Sequence, residues 1–114
     1  HMQDYLMNRL SLAGVVLVMD IRHPLKEFDE MMLDWAKSNG MKVHVLLTKS
    51  DKLKRGPAKS TMLAVQKAVK EHGVDGTVQT FSSLSGDGVD DLRIKLAEWL
   101  VLDNLEGIPV SPNA

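Results

Sequence analysis

The chain has 114 residues, of which 44% are hydrophobic and 25% charged, and it contains no cysteine. This composition predicts one soluble globular domain, excludes disulfides and zinc–thiolate sites, and agrees with a cytoplasmic location. The net charge of −1 argues against a broad nucleic-acid surface. A membrane partner is not expected, because no apolar stretch approaches the about 20 residues of a membrane span.

The two ends of the chain are set apart from the predicted domain. His1 and Met2 are interpreted as a cloning remnant left by a cleaved tag. Residues 3–12 carry helix formers and apolar residues, and they predict the end of a helix that leads inward. Residues 103–114 contain asparagine, glycine and two prolines, and this composition predicts a flexible C-terminal tail.

Three apolar segments predict strands. Residues 13–19 and 43–47 are apolar runs rich in β-branched residues, and residues 77–81 (Thr-Val-Gln-Thr-Phe) form a third β-branched segment with more polar residues. Continuous runs of this type are typical of strands buried on both faces of a parallel sheet. Asp20, Thr48 and Ser82 follow the three segments, so each predicted strand ends at a polar loop.

Each predicted strand is followed by a predicted helix. The first opens at Pro24 and stops at Gly40, the second opens at Gly56 and ends near Gly73, and the third follows Gly88. Their predicted inner faces are, in chain order, Phe28, Met32, Trp35 and Ala36; Ala58, Met62, Val65 and Val69; and Val89, Leu92, Leu96, Trp99 and Leu100. The methionines Met19, Met31, Met32 and Met62 are interpreted as core residues, and the histidines His23, His44 and His72 are too scattered to predict a metal site.

The alternation of strands and helices predicts an α/β fold, with a three-stranded parallel sheet and helices on both of its faces. In such sheets, ligands bind beyond the carboxyl ends of the strands. We therefore expect three polar loops, residues 20–24, 48–51 and 82–86, to lie side by side at one rim of the sheet.

The loop Thr48-Lys49-Ser50-Asp51 is the strongest candidate for binding. Guanine presents two neighbouring N–H donors on one edge, and an aspartate carboxylate can accept both in a bidentate, charge-assisted pair. Adenine lacks that pair of donors, so one aspartate can select the base. A loop with backbone N–H donors on the adjacent strand end, near Ser83, would complete the match to guanine's donor–donor–acceptor edge.

Three segments together resemble the EngB (YihA) family of bacterial GTPases over residues 3–102. They are Asp20-Ile21-Arg22-His23-Pro24-Leu25 with Asp29 following, Leu46-Leu47-Thr48-Lys49-Ser50-Asp51-Lys52, and Phe81-Ser82-Ser83-Leu84. The resemblance implies a three-layer sandwich that is the C-terminal, parallel three-stranded half of a Ras-like P-loop GTPase domain and lacks the phosphate-loop half.

The resemblance also implies which residues bind guanine. Asp51 would accept the two base hydrogen bonds, and Lys49 would lay its stem along the base. Backbone N–H groups of the last loop would meet the guanine carbonyl oxygen. The implied guanine-binding set is Thr48, Lys49, Asp51, Ser82, Ser83 and Leu84, with no catalytic residue and no metal ligand among them.

GTP hydrolysis needs a phosphate loop of the form G-x-x-x-x-G-K-[ST] and a magnesium site. The chain has no Gly-Lys dipeptide and no D-x-x-G motif. We therefore expect a parent protein that uses GTP, GDP and Mg²⁺, and a fragment that is catalytically inactive and binds guanine nucleotides weakly. By resemblance, the parent protein would act in assembly of the large ribosomal subunit and in normal cell division and septation.

Two further expectations concern partners. The strand from Val15 to Met19 would lose a neighbour in a half-domain, so we expect self-association of the fragment through this exposed edge. The alternatives are a receiver-like domain, with Asp20 as phosphoacceptor, and a module that docks on a ribosomal subunit without nucleotide hydrolysis. The receiver interpretation needs a second acidic group beside Asp20 and a magnesium ion.

Overall fold

The computed structural model describes residues 14–105, with side chains through residue 99. The elements are β1 (Val15–Asp20), α1 (Glu27–Ser38), β2 (Val43–Thr48), a 3-10 helix (Ser50–Lys52), α2 (Arg55–Glu71), β3 (Gly76–Thr80) and α3 (Val89–Leu105). The predicted helix of residues 3–12 lies outside the described residues, as does most of the predicted tail. Residues 103–105 are the last residues of α3 and are helical.

The three strands form one parallel sheet in the order β1-β2-β3. The register pairs Val15 with Val43 and Asp20 with Thr48, so the strands begin and end together. All three predicted strands are present within a residue or two of their expected bounds. The predicted α/β class with parallel strands is therefore confirmed.

Helices α1 and α2 cover one face of the sheet. Alternate strand residues point to this face and form the core with both helices; its buried members include Leu17, Met19, Val45, Leu47, Leu33, Ala36, Val65 and Val69. The α2 pair Val65 and Val69 lies where the apolar spacing predicted it. No helix in the described part of the chain is long and apolar enough to cross a membrane.

The predicted inner face of α1 was wrong at its start. The helix begins at Glu27 and not at Pro24, because Leu25 takes a left-handed φ of 57° and the Asp29 carboxylate accepts a hydrogen bond from the Lys26 backbone N–H. Asp29 is consequently buried and Phe28 is 59% exposed, while Leu33 is fully buried. Met31, expected in the core, is 57% exposed on the outer side.

Helix α3 lies on the opposite face of the sheet. Its Trp99 is buried and meets the His44 ring edge-on, with 6.4 Å between ring centroids. The same indole approaches Gly14 so closely that a Cβ there would come within 3 Å of it. Leu96, predicted to face inward, is 37% exposed.

His44 is a buried polar residue beneath α3. Its Nε2 lies 2.6 Å from Gln79 Oε1 and its Nδ1 lies 2.7 Å from Thr77 Oγ1. The Gln79 amide nitrogen donates to the Thr80 and Gly88 carbonyls, so its Oε1 faces His44 and Nε2 carries a hydrogen. In the neutral ring, Nδ1 then accepts from Thr77 Oγ1. Burial lowers the pKa of His44, and only the hydrogen bond to Gln79 and the distant carboxylates oppose this.

We expect the free energy of unfolding to decrease as the pH is lowered past about 6.5, which is the pKa of histidine in the unfolded state. Below that pH, His44 binds a proton in the unfolded state but stays neutral in the folded state. Stability that is present above about pH 6.5 is therefore lost as the pH falls, at up to about 1.4 kcal/mol per pH unit. Urea denaturation of the chain and of His44→Gln from pH 5 to 8 would measure this. The slope should flatten in His44→Gln and persist in His23→Gln, whose side chain is exposed; equal slopes in all three proteins would contradict the assignment.

Candidate functional site

The predicted rim exists, because backbone and side-chain bonds tie the three strand ends together. Thr48 Oγ1 donates to the Met19 carbonyl of β1 at 3.2 Å. On the other side, the Phe81 N–H donates to Leu47 at 2.8 Å and the Ser50 N–H donates to Phe81 at 3.0 Å. The polar loops that follow β1, β2 and β3 are thereby held side by side.

Lys49 turns the chain sharply at the end of β2. Its φ of 60° and ψ of 37° lie in the left-handed region, and the next three residues form the 3-10 helix. Its ammonium lies 3.7 Å from Asp20 Oδ2, while its side chain stays 58% exposed. The lysine stem is therefore directed across the rim toward the β1 loop.

The Asp51 carboxylate stands between these loops. Ser82 Oγ donates to Asp51 Oδ1 at 2.6 Å, and the Lys52 ammonium lies 3.8 Å from Oδ2. The hydrogen bond from Ser82 lowers the pKa of Asp51, and Lys52 and Arg22 add smaller electrostatic contributions. Asp51 is therefore ionised at neutral pH, and its side chain is 22% exposed.

The third loop is ordered around Ser82, which is 1% exposed. Ser82 Oγ accepts a hydrogen bond from the Ser85 N–H at 3.2 Å, and the Ser82 N–H donates to the Asp87 carbonyl at 2.9 Å. Ser83 and Leu84 are exposed beyond it, Leu84 by 79%. Their backbone N–H groups make no hydrogen bond to the described protein backbone, so they are open to a ligand.

A pocket of about 310 Å³ opens between the three loops. Five of the six predicted guanine-binding residues line it: Thr48, Lys49, Asp51, Ser83 and Leu84. Ser82 lies behind it, in contact with Asp51. Arg22, Lys52 and Phe81 also line the pocket, although they were not among the predicted guanine-binding residues. A larger, more open cleft of about 410 Å³ lies on the far side of Asp51, against α2.

Arg22 is fixed at the pocket by Asp20. Its Nε and Nη2 lie 3.2 and 3.0 Å from the two Asp20 carboxylate oxygens, and its backbone N–H donates to the same carboxylate at 2.9 Å. These bonds hold the pKa of Asp20 far below its usual range and raise the pKa of Arg22. The spacing Asp20-x-Arg22 could have suggested this pair from sequence.

Asp20 does not have the surroundings of a phosphoacceptor. Its neighbours are Arg22 and Lys49, and among residues 14–99 no cluster of three histidine, aspartate or glutamate side chains could hold a metal ion. The described structure therefore offers no support for the receiver-like alternative.

Gly88 allows the third loop to close. Its φ is 78°, and a Cβ there would overlap the Thr80 carbonyl oxygen. Gly86 has a similar φ of 83° but faces open space. We expect Gly86→Ala to cost about 1 kcal/mol for its left-handed backbone, and Gly88→Ala to cost about 2 to 4 kcal/mol because a steric clash is added. Urea denaturation measures both; equal losses would show that the overlap is relieved freely.

No known protein-family model matches the chain. Among solved structures, a bacterial selenocysteine-specific elongation factor EF-Sec is similar with a TM-score of 0.70 and 23% identity, over 95% of this chain and 18% of that one. The fold is that of part of a G domain. The translation elongation factor SelB of Methanococcus maripaludis is also similar, in its apo form (TM-score 0.66, 20% identity, 97% of this chain and 25% of that one) and with the GTP analogue GppNHp (TM-score 0.63, 22% identity, 95% and 24%).

The chain therefore spans a quarter or less of the length of these neighbours. At 20–23% identity the similarity shows the fold alone. It supports a G-domain fold and does not single out the EngB family among proteins that share it.

Proposed function

We propose that the chain is the guanine-recognition half of an EngB-like GTP-binding protein. The observation that carries this proposal is the pocket itself, because one residue with an ionised carboxylate and two residues with free backbone N–H groups line the same cavity. The carboxylate is Asp51, and the N–H groups belong to Ser83 and Leu84. Guanine presents two donors and one acceptor along one edge, and this pair of loops presents the complementary groups.

The chemistry of the carboxylate favours guanine over adenine. Ser82 occupies one lone pair of Asp51 Oδ1 and leaves further acceptor positions on both oxygens. Guanine N1–H and N2–H can fill two of them. Adenine would bring an acceptor, N1, to the carboxylate, and its amino group to the N–H groups of Ser83 and Leu84. Such mismatched polar groups discriminate strongly, because each is left desolvated without a partner.

The remaining parts of the proposed activity lie elsewhere in a longer protein. Phosphate binding, Mg²⁺ and GTP hydrolysis are assigned to a phosphate-loop half, since the chain has no motif for them. The proposed cellular role, in assembly of the large ribosomal subunit and in cell division, rests on the EngB resemblance of the segments around Asp20, Asp51 and Ser82. A cytoplasmic location belongs to the same proposal.

Titration of the ¹⁵N-labelled chain with GMP and AMP tests the proposal. We expect GMP, at millimolar concentration, to shift the amide resonances of Lys49, Ser83 and Leu84, and AMP to leave them unchanged. GDP should bind no more than a few-fold more tightly than GMP, because the proposed phosphate-binding groups are not in this chain. Equal shifts with AMP would refute guanine recognition. Micromolar GDP affinity would refute the assignment of phosphate binding to another part of the protein.

We also propose that a second copy of the chain pairs with β1. In the described sheet β1 has a neighbour only on the β2 side, and Val18 on this strand is 56% exposed. An apolar edge strand offers unpaired backbone groups and favours strand pairing between molecules. A symmetric antiparallel pair would bury both Val18 side chains.

Light scattering with Val18→Lys tests this pairing. We expect the chain to dimerise with rising concentration, and Val18→Lys to weaken dimerisation at least tenfold by placing like charges opposite one another. Leu63→Lys changes a residue of similar exposure on α2 and should dimerise like the unaltered chain. A monomeric mass at all concentrations would exclude the proposed pairing.

A further inference from the structure

Asp87 has contacts that neither its sequence context nor the proposed base contacts explain. Its Oδ2 accepts hydrogen bonds from Ser50 Oγ and from Thr80 Oγ1, both at 2.8 Å. Ser50 is the residue next to Asp51 and is 9% exposed, and Thr80 is the last residue of β3. A single carboxylate oxygen thus joins the loop after β2 to the end of the neighbouring strand.

Helix capping is the ordinary role for an aspartate placed before a helix, but the contacts differ from it. Asp87 lies two residues before α3, and no backbone N–H of the described helix donates to its carboxylate. The Val89 N–H bonds the Gly86 carbonyl at 3.3 Å, and the Leu92 N–H bonds Gly88 at 3.0 Å. The Asp87 side chain is directed to the rim of the sheet, away from the helix it precedes.

Two neighbouring residues therefore link the same two loops. Ser50 bonds Asp87, and Asp51 bonds Ser82. The Ser82 N–H also donates to the Asp87 carbonyl at 2.9 Å, and this bond closes the loop after β3. We call the two side-chain pairs Ser50–Asp87 and Asp51–Ser82 the loop clasp. Because both of its bonds join the same two loops, the clasp restrains the distance between the Asp51 carboxylate and the N–H groups beyond Ser82.

We infer that Asp87 is a positioning residue of the guanine pocket, which holds the Asp51 loop against the Ser83–Leu84 loop. The inference rests on the proposed function for the identity of the ligand, a guanine base. The hydrogen bonds of the loop clasp do not depend on that function. A base that contacts both loops benefits from their fixed separation. Hypoxanthine lacks the 2-amino donor of guanine, so the preference for GMP over IMP reports how well Asp51 is placed.

The first test uses the chain without nucleotide and follows the Asp51 carboxyl resonance by NMR as pH is changed. The charged groups that face Asp51 are Lys52 and Arg22, and both remain in the variants. In Asp87→Ala the loops separate and the Ser82 bond weakens, so the pKa of Asp51 should rise toward its ordinary value. Loss of a nearby negative charge alone would move that pKa in the opposite direction, which separates positioning from simple electrostatics.

Matched variants complete this test. Asp87→Asn keeps one acceptor for the hydroxyls and should give a smaller rise. Asp90→Ala removes an exposed carboxylate that pairs with Arg93 and should give none. If Asp87→Ala does not fold, Ser50→Ala and Thr80→Val each remove one donor to Asp87 with little change in volume. An unchanged or lowered pKa of Asp51 in the folded variants of Asp87, Ser50 and Thr80 overturns the inference.

The second test titrates the same proteins with GMP and IMP. We expect the preference for GMP over IMP to fall about threefold to tenfold in Asp87→Ala, the equivalent of one weakened hydrogen bond to a charged group. A general loss of structure would instead weaken both nucleotides equally and overturn the inference. If neither nucleotide binds the unaltered chain, the proposed function fails, and the Asp51 titration alone still decides the role of Asp87.

Discussion

Asp51→Asn should abolish the shifts that GMP induces at Ser83 and Leu84 and should make XMP the preferred nucleotide. The asparagine amide places an N–H₂ group against the guanine 2-amino donor, so one hydrogen bond becomes a clash between donors. Losing a hydrogen bond to a charged group costs about 1.5 to 3 kcal/mol, or about tenfold to a hundredfold in affinity. Xanthine carries a carbonyl at that position, which the same N–H₂ group can bind.

The inversion of preference is the decisive part of this result, because a merely damaged pocket would lose all nucleotides together. Asp90→Asn is the matched control: it also removes one aspartate charge, but from an exposed position in the first turn of α3. It should bind GMP as the unaltered chain does. If Asp51→Asn still prefers GMP over XMP, the carboxylate does not contact the base and the proposed function is wrong.

Leu33→Ala should reduce the free energy of unfolding by about 3 to 5 kcal/mol, which is the largest loss we expect from a single substitution in this fold. Leu33 is fully buried between α1 and the sheet, within the core that α1 and α2 share. Removing its methyl groups loses their transfer free energy and leaves a cavity that the surrounding core fills only in part. Urea denaturation at pH 7.5, where His44 is neutral in both states, measures the loss.

Phe28→Ala supplies the matched control on the same helix. Phe28 is larger and stood in the predicted inner face, yet it is 59% exposed. Its removal should change stability by less than about 1 kcal/mol. A greater loss from Phe28→Ala than from Leu33→Ala would mean that α1 packs on the sheet through a different face from the one described here.

The strands were predictable because a parallel sheet covered on both faces needs continuous apolar residues, and residues 43–47 are all buried. The start of α1 was not, because it depends on the left-handed Leu25 and on the inward-facing Asp29. Both are local conformations that compete with the apolar spacing of the helix. The buried side of α1 is formed by Asp29, Leu33 and Ala36, and Phe28 is exposed.

In the candidate site, too, some residues could be predicted from the sequence and others could not. Thr48, Lys49 and Asp51 could be placed with the 82–84 loop because parallel strands end at a common rim. Asp87 and Ser50 could not, since their bond joins residues 37 positions apart and follows from the folded arrangement of two loops. Their residue types also occur in any solvated turn. Arg22 was recognisable as part of a motif, but its place in the pocket wall required the fold.

Lys49 occupies a conformation that glycine adopts most easily, with φ at 60°. For a lysine this backbone costs about 1 kcal/mol, so the fold alone would favour glycine at this position. Glycine would also remove the four-carbon stem that forms one wall of the pocket and the ammonium beside Asp20. Laboratory selection for thermal stability should therefore favour glycine at position 49 and so remove this wall of the pocket. Stabilised variants of the chain are best checked at Lys49 for loss of ligand contact.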